Sequence, residues 1–144
     1  MRHKSHVQDW MTRDPLTVTA ETSVFETYDM MRRRRVRRLL VVDDQGRLQG
    51  IVTQSDIEQA MPLARNADSR REAAFELAGM TVDEVMTRNP ICVAPTTAVA
   101  AVAAEMIRSK VSGLPVVDGG TLVGIITESD IFRLVVETWD EDDA

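Results

Sequence analysis

Two tetrapeptides bring together side chains that can bind a ligand: Thr53-Gln54-Ser55-Asp56 and Thr127-Glu128-Ser129-Asp130. A β-rich apolar run leads into each, and helix-forming residues follow, so the acid falls in the first turn of a helix. A carboxylate there can accept hydrogen bonds from both hydroxyls of a ribose, and the Thr and Ser hydroxyls, with the free N–H groups of a helix start, can donate to phosphate. The same spacing fits a capping box, Thr53 with Asp56 or Ser55 with Glu58, which would engage these groups within the helix itself. Spacing alone leaves both readings open.

A third concentration of chemistry is RRRRVRR, residues 32–38, which holds six of the seventeen basic residues of an otherwise acidic chain. Arg32 to Arg35 fall in the last turn of a helix, where positive charge offsets the carbonyl end of the macrodipole by about 0.3–1 kcal/mol each at low salt. Val36 reads as core. Arg37 and Arg38 lead into a strand, where alternation sends one guanidinium to each face. One of the two is expected to contact ligand phosphate, while Arg32 to Arg35 end the helix or face a partner. Binding of single-stranded nucleic acid by the whole Arg32–Arg38 stretch is the alternative, but no aromatic residue is interleaved to stack on bases.

Other reactive side chains are sparse. The only histidines, His3 and His6, lie near the start of the chain, and no cysteine is close in sequence to serve as their nucleophile; an enzyme is not expected. His3-x-x-His6 lacks an evident third metal ligand, and the acidic run ETWDEDDA would hold Mg²⁺ weakly, so no metal site is expected. Gly119, Gly120 and Gly124 lack the ending of a P-loop and read as turn and strand glycines. Cys92, within an apolar stretch, reads as buried core.

The elements that must position these residues occur twice. MTRDPLTV from Met11 lies over MTRNPICV from Met86, RRLLVVD over SGLPVVD, and GIVTQSDI at 50–57 over GIITESDI at 124–131. Each copy reads β-α-β-β-α. The helices carry apolar positions at Val24, Phe25, Tyr28 and Met31, or at Val99, Val102, Met106 and Ile107. Residues 62–79 form a linker that is itself expected to be helical, and 139–144 an acidic tail. Two copies of this size are too few for a solenoid and must complete each other's core.

Charge is uneven: residues 1–61 carry ten Lys or Arg against nine Asp or Glu, whereas 62–144 carry seven against fourteen, within a net charge of −6. General attraction to nucleic acid is therefore not expected. A single cysteine and the lack of a long apolar run point to a cytoplasmic protein with no membrane span.

The ordered set MTxxPxxV, amphipathic helix, LPVVD, glycine turn and GIITxxDI, occurring twice, resembles the cystathionine-β-synthase (CBS) domain in tandem, the arrangement called a Bateman module. The resemblance covers residues 7–61 and 80–138. It implies an α/β (α+β) fold in which two β-α-β-β-α repeats pack sheet to sheet with pseudo-twofold symmetry, leaving two clefts, and a disc-like homodimer. It further implies a regulatory module that senses an adenine nucleotide (AMP, ADP or ATP) or adenosyl compound and signals to a target protein not identified by the sequence; no cofactor is required. A purely dimerising interaction module is the other alternative.

Carried over residue by residue, the resemblance joins Thr53, Ser55 and Asp56 to Arg88, Ile91, Val93, Ser112, Gly113 and Pro115 in one cleft. It joins Thr127, Ser129 and Asp130 to Arg13, Leu16, Val18, Arg37 and Arg38 in the other. Leu16 and Val18, or Ile91 and Val93, would sandwich the purine. Repeat 1 departs from the pattern, with Arg37-Arg38 where repeat 2 has Ser112-Gly113 and Leu40 where repeat 2 has Pro115. Two guanidiniums there favour a phosphate-rich ligand.

Overall fold

A computed structural model describes residues 5–61 and 67–143. Its chain order is β1 (Thr12–Arg13), β2 (Thr17–Val18), α1 (Val24–Arg34), β3 (Arg38–Val42), β4 (Leu48–Thr53), α2 (Gln54–Ala60) and α3 (Ala67–Gly79). Then come β5 (Thr87–Arg88), α4 (Val99–Ser109), β6 (Gly113–Asp118), β7 (Thr121–Thr127) and α5 (Glu128–Asp143). Both repeats contain the expected β-α-β-β-α order, each preceded by a short strand within MTR, β1 or β5, that the sequence reading did not include. In the second, the opening strand is reduced to one parallel bridge between Val93 and Val116. Of the linker expected to be helical, residues 67–79 are helical, and 62–66 lie outside the described residues. The acidic run at the end is the continuation of α5 through Asp143. His3 lies outside the described residues. No helix among them is long and apolar enough to cross a membrane.

The chain divides into two compact units, Leu16–Pro90 and Met1–Pro15 with Ile91–Ala144, which are offset from the sequence repeats. The offset arises because the opening segment of each repeat joins the sheet of the other. β1 pairs antiparallel with β7, Thr12 opposite Ile125, giving the order β1-β7-β6. β5 pairs antiparallel with β4, Ile51 opposite Thr87, giving β2-β3-β4-β5. Ahead of each exchanged strand, a single 3-10 turn plants a fully buried valine: Val7 in one core, Val82 in the other.

Close approach at these joins requires glycine. A Cβ on Gly50 would lie 2.6 Å from the Thr87 carbonyl oxygen, and one on Gly124 would lie 2.8 Å from that of Thr12. Both distances are shorter than van der Waals contact allows.

In the Leu16–Pro90 unit, Leu39, Val41 and Val52 face α1 and α2 and pack with Val24, Met31 and Ile57. In the other, Leu114, Val116 and Ile126 pack with Val99, Val102 and Met106. The helical stripes are narrower than the sequence suggests. α1 buries Val24, Thr27 and Met31, spaced i, i+3 and i+7, while Phe25 is 43% exposed. Thr27 occupies a core position because its hydroxyl donates to the Ser23 carbonyl at 2.9 Å, leaving only its methyl to pack. α4 buries the equivalent stripe, and Ile107, one position off it, is 80% exposed.

Cys92 corrects the expectation of a buried thiol: it is exposed. The residue that turns inward is its neighbour Val93, which bridges to Val116 and packs on the core, so alternation directs Cys92 outward.

Candidate functional site

Thr53 is both the last residue of β4 and the N-cap of α2. Its Oγ1 accepts the Asp56 N–H at 3.1 Å, and Asp56 Oδ2 accepts the Thr53 N–H at 2.9 Å. Of the two frames open from spacing, the box is therefore Thr53 with Asp56. Glu58 instead accepts a hydrogen bond from the Gln54 amide at 2.9 Å, and Ser55 is exposed. Capping does not exhaust the acid. Its second oxygen, Oδ1, has no hydrogen-bond partner among the described residues, and the side chain is half-buried.

The segment before β3 lies against this turn. Arg38 is in register with Thr53, and the Arg37 carbonyl accepts the Gln54 N–H at 2.8 Å. Register and alternation also give the side on which each side chain leaves the backbone. Leu39 and Val41 pack on the helices. Alternation therefore puts Arg37 on the helix-packed face and Arg38 with Leu40 and Thr53 on the other. The sequence reading grouped Arg37 and Arg38 with Asp130. Within one unit, Arg38 stands in register with Thr53 and Arg37 is bonded through its carbonyl to Gln54.

The remaining carried-over residues of this unit differ in what they can offer. Val18 is 5% exposed and belongs to the core, with Leu16 half-buried beside it. Arg88 is exposed and in register with Gly50.

The second unit repeats the turn with a different outcome. Asp130 Oδ2 accepts the Thr127 N–H at 2.9 Å and its hydroxyl at 3.2 Å. The other oxygen is also engaged: Arg133 lies 3.5 Å from Oδ1, donates to the Trp10 carbonyl at 2.8 Å, and stands 5.7 Å from the centre of the Trp10 ring. Asp130 is only 6% exposed. Arg133 and Trp10 were not singled out from the sequence. The i+3 spacing of Arg133 from Asp130 was visible, but the approach of Trp10, from the far end of the chain, was not.

Around this turn, Gly113 is buried opposite Thr127, and the Ser112 carbonyl accepts the Glu128 N–H at 3.0 Å. The buried Pro115 accepts the Val93 N–H through its carbonyl at 3.0 Å. Ser129 and Arg13 are exposed, Arg13 in register with Gly124, and Ile91 is 47% exposed. No group of three His, Cys, Asp or Glu that could hold a metal occurs among the described residues.

The CBS domain family model matches residues 7–62 and 82–137. The solved CBS domain pair of protein MJ0100, in complex with 5'-methylthioadenosine and S-adenosyl-L-methionine, is 31% identical with a TM-score of 0.75, covering 93% of this chain and 98% of that one. CBSX2, a CBS-pair protein from Arabidopsis thaliana, is 27% identical with a TM-score of 0.84, covering 94% and 97%; its complex with AMP is among the solved structures this chain resembles.

The L-aspartate semialdehyde sulfurtransferase of Methanocaldococcus jannaschii is 35% identical over 129 residues. These make up 89% of this chain but 23% of that enzyme, so the chain spans about a quarter of it. With two matches to one family model, the chain belongs to the CBS domain family and carries the domain as a tandem pair.

Proposed function

We propose that this chain is a regulatory module that binds an adenine nucleotide or adenosyl compound and passes the resulting change in conformation to a partner protein. The observation that carries the reading is the open Oδ1 of Asp56, an acid that caps its helix with one oxygen and keeps the other available next to Thr53, the residue in register with Arg38. A ribose hydroxyl can donate to that oxygen while Arg38 meets a phosphate. The adenosyl ligands held by the solved relatives support this ligand class.

The role is regulatory rather than catalytic, and the setting cytoplasmic. The second partner is another copy of this chain. Phe132, Val136 and Trp139 stand 63%, 59% and 65% exposed at i, i+4 and i+7 on α5, an apolar stripe that a twofold-related copy can cover with its own.

The test is calorimetric titration with AMP, ADP, ATP, S-adenosyl-L-methionine and 5'-methylthioadenosine, repeated on Asp56→Asn. Asparagine keeps an acceptor for the cap but loses the charge. At least one ligand should bind to wild type and weaken by about tenfold in the variant, with the fold retained. Absence of binding across the panel, or full affinity in Asp56→Asn, would defeat the assignment.

A further inference from the structure

Tyr28, Arg32, Arg35, Arg37 and Gln54 line a cavity of about 290 Å³ where the end of α1 meets the start of α2. Arg32, Arg35 and Arg37 are exposed around it, and none makes an ion pair among the described residues. Asp29, the acid on α1 nearest in sequence, pairs with Arg33 at 2.9 Å. Like charges gathered without counter-charge repel one another, and an anion placed among them relieves that repulsion.

Arg35 adds a second sign. It caps α1 in the left-handed conformation, φ 56° and ψ 43°, where glycine is preferred and a side chain costs on the order of 1 kcal/mol. A residue that strains the backbone thus brings a guanidinium to this cavity.

The second repeat is an internal control. Positions equivalent to Tyr28, Arg32, Arg37 and Gln54 hold Ala103, Ile107, Ser112 and Glu128. Only Lys110, also left-handed, retains a positive charge. The cluster is therefore a property of one repeat and not of the fold.

We infer that this cavity is an anion site, separate from the Asp56 turn, that takes a chain of two or three phosphoryl groups, one site per protein chain. A single phosphate dianion would leave part of the charge of three guanidiniums unmatched, whereas an oligophosphate can bridge them, with the Tyr28 hydroxyl and Gln54 amide as further donors. The site lies on the helix-packed side of β3 with Arg37, and Arg38 and Thr53 lie on the opposite side.

Calorimetric titration of the full chain with inorganic tripolyphosphate, against orthophosphate at matched ionic strength, tests the site without any adenosine. Tripolyphosphate should bind one per chain, at least about tenfold more tightly than orthophosphate, and weaken as salt is raised.

Arg35→Gly should raise the melting temperature, because the strain is relieved, yet weaken tripolyphosphate by about tenfold. Gln54→Glu, which copies the second repeat, should weaken it as well. Asp56→Asn should leave it unchanged, which separates failure here from failure of the adenosyl reading. ATP titrated into Arg35→Gly identifies the source: lost affinity means the oligophosphate is the tail of a nucleotide, and retained affinity means it is free, the site standing in either case. Tripolyphosphate binding to Arg35→Gly as tightly as to wild type, or orthophosphate matching it, overturns the assignment. So does a single-stranded oligonucleotide that outcompetes tripolyphosphate and answers to the same substitutions.

Discussion

Replacing the two T-x-x-D acids by alanine should destabilise the protein to different extents. Asp56→Ala removes one side of a capping box from a half-buried position, a loss of about 1 kcal/mol. Asp130→Ala removes more. The acid is 6% exposed, accepts both the Thr127 N–H and its hydroxyl, and pairs with Arg133. A charge-assisted hydrogen bond contributes about 1.5–3 kcal/mol, and a buried donor left unsatisfied costs a similar amount, so the total comes to about 3 kcal/mol. At this chain length 1 kcal/mol corresponds to roughly 3 °C, so the expected falls in melting temperature are about 3 °C and about 10 °C.

Thermal and urea unfolding, monitored by circular dichroism, measure both. Asparagine at either position keeps a cap acceptor and should recover most of the loss. Equal destabilisation by the two alanines, or a greater loss at Asp56, would refute the view that Asp130 is committed to the fold while Asp56 keeps an oxygen free. Binding data from Asp130→Ala would also confound a lost contact with a loosened turn, so the asparagine pair is the comparison to interpret.

Gly50→Ala and Gly124→Ala should each cost about 1–3 kcal/mol in urea unfolding, because the new methyl meets a strand carbonyl that cannot retreat without breaking the exchanged pairing. Gln59 stands where the second repeat has Arg133, so Gln59→Arg should engage the free oxygen of Asp56 and weaken adenosyl ligands without unfolding the chain; unchanged affinity would contradict it.

The hydrogen bond from Ser109, helped by Arg108 and opposed by desolvation, holds the Glu105 carboxyl below its ordinary 4.5. Its stabilising contribution is thus present above pH 4.5 and lost as pH falls through the lowered value, and an NMR titration of Glu105 should shift upward in Ser109→Ala. Cys92 should react stoichiometrically with a thiol reagent in the native protein; protection until unfolding would place it in the core after all.

Much of the fold was legible because both copies display the same local signals. Alternation marked β3 with β4 and β6 with β7, composition marked α3, and the repeat offset tied the two together. What escaped was non-local. Nothing in MTRDP or MTRNP reveals that the strand it contains will pair with the sheet of the other repeat, since strand pairing is decided by tertiary geometry rather than by the residues' own propensity. Thr27 escaped because a threonine that bonds its hydroxyl back to its own helix is chemically a small apolar residue to its neighbours, which no hydropathy pattern registers. Cys92 was misplaced by one residue of alternation. At the site, the tetrapeptides were visible as chemistry, but the choice between cap and ligand was not, because it depends on whether the second carboxylate oxygen finds a partner.

That second oxygen separates the two halves of the molecule. Both acids make the same turn, so capping is the common requirement of the fold and cannot by itself distinguish them. The difference comes from side chains around the turn. Trp10 and Arg133 close it in one unit, whereas the equivalent positions in the other hold Val85 and Gln59, which carry no charge to bring to the acid. The same unit that leaves Asp56 open also concentrates Arg32, Arg35, Arg37 and Arg38, and the unit that closes Asp130 carries Ile107, Lys110, Ser112 and Gly113 in their place. An open acid and the three cavity arginines Arg32, Arg35 and Arg37 are both unfavourable for folding alone, the first by leaving an acceptor unused and the second by repulsion. Their occurrence together in one repeat and their joint absence from the other are what the two proposed sites, one for a diol and one for an oligophosphate on the other side of β3, would require, and internal packing requires neither.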